Sequence, residues 1–190
     1  MAERTAALAP TVASRYDFGD AKLVIDIGGS QGTMIAAILN ANPQMKGIVF
    51  DLPEVVAGAD ARLTTAGVAA RCETQGGSFF EAVPGGGDYY LMANVLHDWD
   101  DERAEEILHN CRRAMPPHAK VLVIERAIAD DHAKSIPTLL TDINMMVLSG
   151  GQERTNDEYA KLFARVGLRL TNVLPVLAPY AVFEGMQNPS

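Results

Sequence analysis

The chain has 190 residues, 48% of them hydrophobic, with 24 acidic against 16 basic side chains, a formal net charge of -8 and a mean hydropathy of +0.03. That is enough chain for one domain with a full core, and the composition excludes disordered, collagen-like and disulfide-scaffold classes. The acidic balance repels phosphate backbones and anionic lipid, so neither nucleic acid nor a membrane surface is an expected partner.

Short apolar runs alternate with helical patterns, the sign of an α/β fold on a mostly parallel sheet. The first twenty residues predict a short helix interrupted at Pro10. Lys22 to Ile27 (KLVIDI) reads as the first strand and ends at Gly28. Gly32 to Asn42 reads as a helix with Met34, Ile35, Ile38 and Leu39 on one stripe. Gly47 to Phe50 is the second strand, closed by Asp51-Leu52-Pro53. Arg62 to Ala66 falls in a helix, Ala70 to Gln75 in a weak third strand and Asp88 to Ala93 in the fourth.

Asp101 to Met115 predicts an amphipathic helix with Ala104, Ile107, Leu108 and Cys111 inward. Asp100, Asp101 and Glu102 suit its positive start, and Pro116-Pro117 ends it. Lys120 to Glu125 (KVLVIE) is the fifth strand. Pro137 to Leu148 reads as a helix stopped by Gly150-Gly151. Thr155 to Val166 reads as another, opened by a Thr155/Glu158 capping box. Two strands finish the chain, Leu168 to Leu177, broken by Pro175, and Tyr180 to Glu184. They would form an antiparallel hairpin at the sheet edge.

Cys72 and Cys111 stand far apart and predict two half-buried reduced thiols rather than a disulfide or metal site. His97, His109, His118 and His132 show no metal-ligand spacing, so no metal is expected. No apolar run approaches the roughly 18 residues of a membrane span. Met1 to Leu8 lacks the apolar stretch of a secretory leader. A soluble cytoplasmic protein is the default expectation.

Ile25-Asp26-Ile27-Gly28-Gly29-Ser30-Gln31-Gly32 lies between a strand and a helix, at the ligand crevice of an open α/β sheet. Glycine there lets backbone approach a ligand, and the helix start offers free N–H groups. The pattern is D-x-G-x-x-x-G, not the dinucleotide G-x-G-x-x-G, because position 30 is serine. Asp51 ends the second strand nineteen residues after Gly32, where a carboxylate can accept both ribose hydroxyls of an adenosine. A plain tight turn and a turn aspartate would use the same residues. Loop and acid together favour a nucleoside-bearing cofactor. They do not choose between nicotinamide and S-adenosylmethionine, although the missing fingerprint leans towards the methyl donor.

His97-Asp98-Trp99 follows the fourth strand, and Glu125 ends the fifth. Parallel strands end on one face, so His97 and Glu125 should converge beside the cofactor. A histidine can take a proton from a hydroxyl, and a carboxylate on its other nitrogen fixes the tautomer. Spacing alone leaves open a structural histidine with two surface glutamates, Glu125 and Glu153.

The words LVIDIGGSQG, GIVFDLPEVV, LHDWDDERAEEILHNCRRAM, KVLVIE and GGQERTNDEYAKLF resemble the plant caffeate and isoflavone O-methyltransferases and their bacterial relatives in polyketide and phenazine tailoring. The resemblance runs from Lys22 to Glu184. It implies a Rossmann-like S-adenosylmethionine methyltransferase fold, with a mostly parallel seven-stranded sheet, an antiparallel C-terminal hairpin and helices on both faces. It implies methyl transfer from S-adenosylmethionine to a phenolic or similar hydroxyl of a small-molecule secondary metabolite, without a metal.

By the same resemblance His97 is the general base, flanked by Glu125 and Glu153. Gly28, Gly32, Asp51, Leu52, Ser78 and Phe79 contact the cofactor, with Asp51 on the ribose and Phe79 packing on the adenine edge. Met145 and Asp98 contact the acceptor, Met145 packing on its ring. Met146 is expected in a helix core, and Trp99 is expected to be a packing residue. Three departures stand out. Ser78, in Gly76-Gly77-Ser78-Phe79-Phe80, replaces the family's adenine-binding aspartate. Ala93 stands where some members have lysine.

The third departure concerns the helical dimerisation domain that precedes the family's catalytic domain. The expected organisation is a linker helix over 1–20 and a methyltransferase domain over 21–190, with that N-terminal domain absent. A homodimer is expected for a full-length relative. Slow turnover and exposed apolar surface are expected for the catalytic domain alone. Two other readings compete: a non-catalytic or truncated cofactor-binding module, and a family member with decarboxylase or hydroxylase chemistry.

Overall fold

The computed structural model describes residues 2–128 and 151–188. Five strands run parallel: β1 (Leu23–Ile27), β2 (Lys46–Asp51), β3 (Cys72–Gly76), β4 (Tyr89–Ala93) and β5 (Lys120–Ile128). The two-residue β6 (Arg154–Thr155) pairs with the end of β5. The hairpin of β7 (Leu168–Leu177) and β8 (Tyr180–Gln187) closes the sheet, with β8 antiparallel to β5. The order β3-β2-β1-β4-β5-β8-β7 reverses direction between β1 and β4. That reversal opens a crevice at the carboxyl ends of these two strands. The expected architecture is the one found.

Side-chain alternation along the strands builds two cores. Val24, Leu91, Leu122 and Ile124 face one side, where α1 (Ala2–Arg15), α2 (Thr33–Ala41) and α4 (Ala59–Thr65) pack. Ile25, Ile27, Tyr90, Met92, Val121 and Val123 face the other, against α5 (Asp101–Ala114) and α6 (Asn156–Arg165). By the same parity Glu125 points to the α5/α6 side. There it is fully buried.

α5 buries Ala104, Ile107, Leu108 and Cys111, the stripe its 3.6-residue period requires. Its N-cap Asp100 accepts from the Arg103 N–H at 2.9 Å. The capping box on α6 forms in both directions, with Thr155 and Glu158 each accepting the other's N–H. A short helix not anticipated from sequence, α3 (Pro53–Val56), follows β2 and has proline in its first turn.

Several expectations need correction. Pro10 does not interrupt α1, which continues to Arg15. Proline removes one helical hydrogen bond, but Leu8, Ala9, Val12 and Tyr16 are buried against the sheet side, and that apolar stripe outweighs the lost bond. Pro175 does not break β7, because the hairpin absorbs it as a register shift between Pro175 and Leu177. β3 starts only at Cys72, after a 3-10 turn over Ala69–Arg71. Both thiols are buried rather than half-buried, and burial pushes each up to about 12. The helix expected over Pro137 to Leu148 lies outside the described residues. Among the described residues no helix is long and apolar enough to cross a membrane.

Candidate active site

The loop after β1 lies at the reversal point. The Gly28 and Gly29 N–H groups donate to the Phe50 carbonyl at 2.8 and 3.2 Å, tying the loop to β2. Gly28 has φ +69°, and a Cβ there would sit 2.8 Å from the Val95 side chain. Gly32, at φ +73°, begins α2. Both positions favour glycine for conformational reasons. The loop opens onto a cavity of about 210 Å³ lined by Asp26, Gly28, Gly29, Ser30, Gln31 and Asn94, among others.

Asp51 is hydrogen-bonded to Ser30 of the cavity lining. Its two carboxylate oxygens accept from the N–H groups of Ser30 (2.8 Å) and Leu52 (2.7 Å). Each oxygen keeps a further lone pair for a ligand hydroxyl. Leu52 is an exposed apolar side chain beside it. Phe79 comes within 3.7 Å of the point a Gly28 Cβ would occupy. The Ser78 hydroxyl accepts from the Phe80 N–H at 3.3 Å, so it helps to shape its own turn. Phe80 packs edge-on against Trp99 with centroids 4.7 Å apart, which matches the packing role expected for Trp99.

The turn after β4 carries His97, which is 3% exposed. Its Nδ1 lies 3.3 Å from Glu153 Oε1 and 3.7 Å from Glu125 Oε2. Its Nε2 lies 3.4 Å from Asp98 Oδ1 and makes no hydrogen bond among the described residues. Glu125 Oε1 accepts from the Val95 and Leu96 N–H groups at 2.8 and 2.9 Å, anchoring the turn. Both glutamates are buried, which rules out the surface-glutamate alternative.

Burial opposes charge on His97. The nearby Glu125, Glu153 and Asp98 carboxylates outweigh it and hold the imidazole up at about 9. Burial pushes Glu125 up to about 7, with His97 pulling it down and Glu153 adding to the rise. Burial likewise raises Asp98, against the pull of His97. The group shares its protons as one cluster. Donor atoms of His97, Glu125 and Glu153 lie within 4.8 Å of one another, close enough to share an ion. Glu125 Oε1 is engaged by two backbone N–H groups, while its Oε2 makes no hydrogen bond among the described residues.

Gly151 packs against this turn. A Cβ there would overlap the His97 carbonyl oxygen and come within 2.6 Å of the Asp98 carbonyl carbon. Gly151→Ala is therefore expected to shift His97 and lower turnover by about 100-fold, since misplacement of about 1 Å carries that cost. Steady-state kinetics on the folded variant check this, and parental turnover would contradict it.

Met145 lies outside the described residues. Asp26 entered the sequence reading only as the aspartate of the D-x-G-x-x-x-G pattern, with no role at the site, and Asn94 was missed. Asp26 is buried, its Oδ2 makes no hydrogen bond among the described residues, and burial followed by the charge of Asp51 pushes it up to about 7 against the Ile35 N–H. Asn94 follows β4 with φ +55° at the edge of the same cavity. An asparagine just after a strand was the available signal, because asparagine tolerates that conformation.

A parallel sheet with its glycine loop and carboxylate at the reversal point defines a nucleoside-binding α/β domain. Val95, which packs on that loop, belongs to the turn that carries the buried histidine–carboxylate cluster. A family model described as "O-methyltransferase domain" matches residues 1–169, and the chain belongs to this family. It is 46% identical over 180 residues to phenazine O-methyltransferase PhzM of Lysobacter antibioticus, covering 95% of this chain and 52% of that protein. It is 36% identical over 161 residues to aclacinomycin 10-hydroxylase RdmB of Streptomyces purpurascens, covering 84% of this chain and 43% of that protein. The crystal structure of NcsB1, an O-methyltransferase from neocarzinostatin biosynthesis, in complex with S-adenosylmethionine and 2-hydroxy-5-methyl naphthoic acid, superposes with TM-score 0.84 at 32% identity. The match covers 93% of this chain and 52% of that one. The chain spans about half the length of the curated relatives it matches.

Proposed function

We propose that this chain is the catalytic domain of an S-adenosylmethionine-dependent O-methyltransferase acting on a hydroxyl of a small aromatic metabolite. The observation that carries this reading is His97, buried in the turn whose Val95 packs on the glycine loop, with two carboxylates at Nδ1 and an Nε2 that makes no hydrogen bond among the described residues. The methyltransferase domain is taken as 21–190, with 1–20 as the helix leading into it.

The residues suit the cofactor. The Gly28–Gly32 loop leaves room for close approach of a ligand, and Asp51 offers lone pairs to ribose hydroxyls. Phe79 offers an apolar face, and the Asp26 carboxylate lines the same cavity. When bound, S-adenosylmethionine supplies a sulfonium-activated methyl group. The chain's own residues align the acceptor oxygen and take its proton. The carboxylates make His97 a stronger base than free histidine, closer to the phenol pKa of about 10. His97 Nε2 receives the hydroxyl proton. Glu125 and Glu153 at Nδ1 stabilise the resulting imidazolium, and Asp98 borders the acceptor side.

The hydroxylase among the relatives keeps divergent chemistry as a second reading. Calorimetric titration with S-adenosylmethionine, followed by methyl transfer to a panel of phenols, distinguishes the two. Binding that Asp51→Ala weakens by about 10- to 100-fold, the worth of a charge-assisted hydrogen bond, supports the proposal together with EDTA-insensitive O-methyl product. Cofactor binding with an oxygenated or decarboxylated product, or no binding at all, overturns it.

A further inference from the structure

Arg154 has the largest side chain among the fully buried described residues, at 1% exposure. Burying a guanidinium is costly unless its donors are satisfied, and the donors of Arg154 are satisfied by the His97 turn and its surroundings. Nη1 donates to the Leu96 carbonyl at 3.1 Å and to the Gln152 carbonyl at 3.3 Å. Nη2 donates to the Trp99 carbonyl at 3.0 Å and to Asp101 Oδ1 at 2.9 Å. Nε donates to the same Asp101 oxygen at 3.0 Å. Leu96 and Trp99 bracket His97-Asp98, so one cation holds the turn by its carbonyls at both ends. Glu125 grips the same turn by the Val95 and Leu96 N–H groups.

We propose that Arg154 is a positioning residue for His97, fixing through the Leu96 and Trp99 carbonyls and Asp101 the turn that aims the imidazole at the acceptor. The acceptor part rests on the function proposed above. The geometry of the grip does not. β6 and the start of α6 bring Arg154 to the turn beside Glu153, so one short segment supplies both the carboxylate at Nδ1 and the clamp that holds the ring against it. A planar fork reaching several acceptors at once is what lysine lacks.

Arg154→Lys in the full chain tests this, with Asp101→Asn in parallel because it removes the charged anchor and leaves Arg154 in place. The readouts are kcat, S-adenosylmethionine Kd, and the His97 ring titration by 15N NMR, assigned by the signal missing from His97→Gln. The expected result is a fall in kcat of about 10- to 100-fold with unchanged Kd. The His97 midpoint should move from near 9 towards its ordinary 6.5, as the carboxylates lose their hold on the ring. An unchanged His97 titration with unchanged kcat overturns the proposal. So does a kcat loss accompanied by an equal loss of cofactor affinity, which would mark a general packing role. Should Arg154→Lys fail to fold, Asp101→Asn decides alone on the same readouts. Should the parent chain methylate nothing, the proposed function falls, while the ring titration still decides whether Arg154 holds His97.

Discussion

Replacing His97 with glutamine is expected to lower methyl transfer by about 10²- to 10⁴-fold, the usual contribution of a general base, and to leave S-adenosylmethionine affinity unchanged. Glutamine keeps a polar group beside Glu153 but cannot take up the acceptor proton. In the parent, turnover should rise with pH and level near 9, because Glu125, Glu153 and Asp98 overcome burial and hold the imidazole protonated at neutral pH. A flat profile between pH 7 and 9, or a glutamine variant with parental turnover, would remove His97 from the chemistry.

The same cluster predicts how stability depends on pH. The folded pKa of His97 is raised, so its contribution is fully present below the ordinary 6.5 and is lost as pH rises through about 9. The thermal midpoint of the parent should therefore fall between pH 7 and 9, and His97→Gln should make that fall smaller, leaving the part that Glu125 and Asp26, both raised to about 7, contribute at the lower end of the range. Scanning calorimetry across that range checks it without any acceptor.

Replacing Glu125 with leucine is expected to cost roughly 2 to 6 kcal/mol of stability, from two buried N–H groups, Val95 and Leu96, left without an acceptor at about 1–3 kcal/mol each. Against a typical total of about 5–15 kcal/mol, that is a large fraction. Glu125→Gln should behave differently. Its amide oxygen still accepts from both N–H groups, so the fold should survive. The lost charge lowers the His97 pKa, and the rising limb of the pH–rate profile should move towards neutral. Chemical denaturation of both variants and pH–rate profiles of the glutamine form decide the matter. A leucine variant as stable as the parent, or a glutamine profile unmoved from the parent's, would contradict this account of the turn.

What was legible in the sequence was local. Strand period, the Gly28–Gly32 loop, the acidic start of α5, the Thr155 cap and the inward stripe of α5 all depend on residues within a turn or two of each other, and all were found. The meeting of His97 with Glu125 also followed, because ends of parallel strands share one face of a sheet. What spacing alone left open was settled by packing. Glu153 lies fifty-six residues from His97, and only the docking of β6 on β5 brings its carboxylate to Nδ1. Composition could not tell whether these glutamates were surface charges or a buried cluster, because burial, not residue type, sets their charge. Arg154 stood in plain view after Glu153, yet nothing local marks an arginine as interior until its acceptors surround it. Pro10 shows the reverse. The local rule against proline in a helix was overridden by the apolar stripe that α1 buries, a free energy summed over contacts that no short stretch of sequence contains.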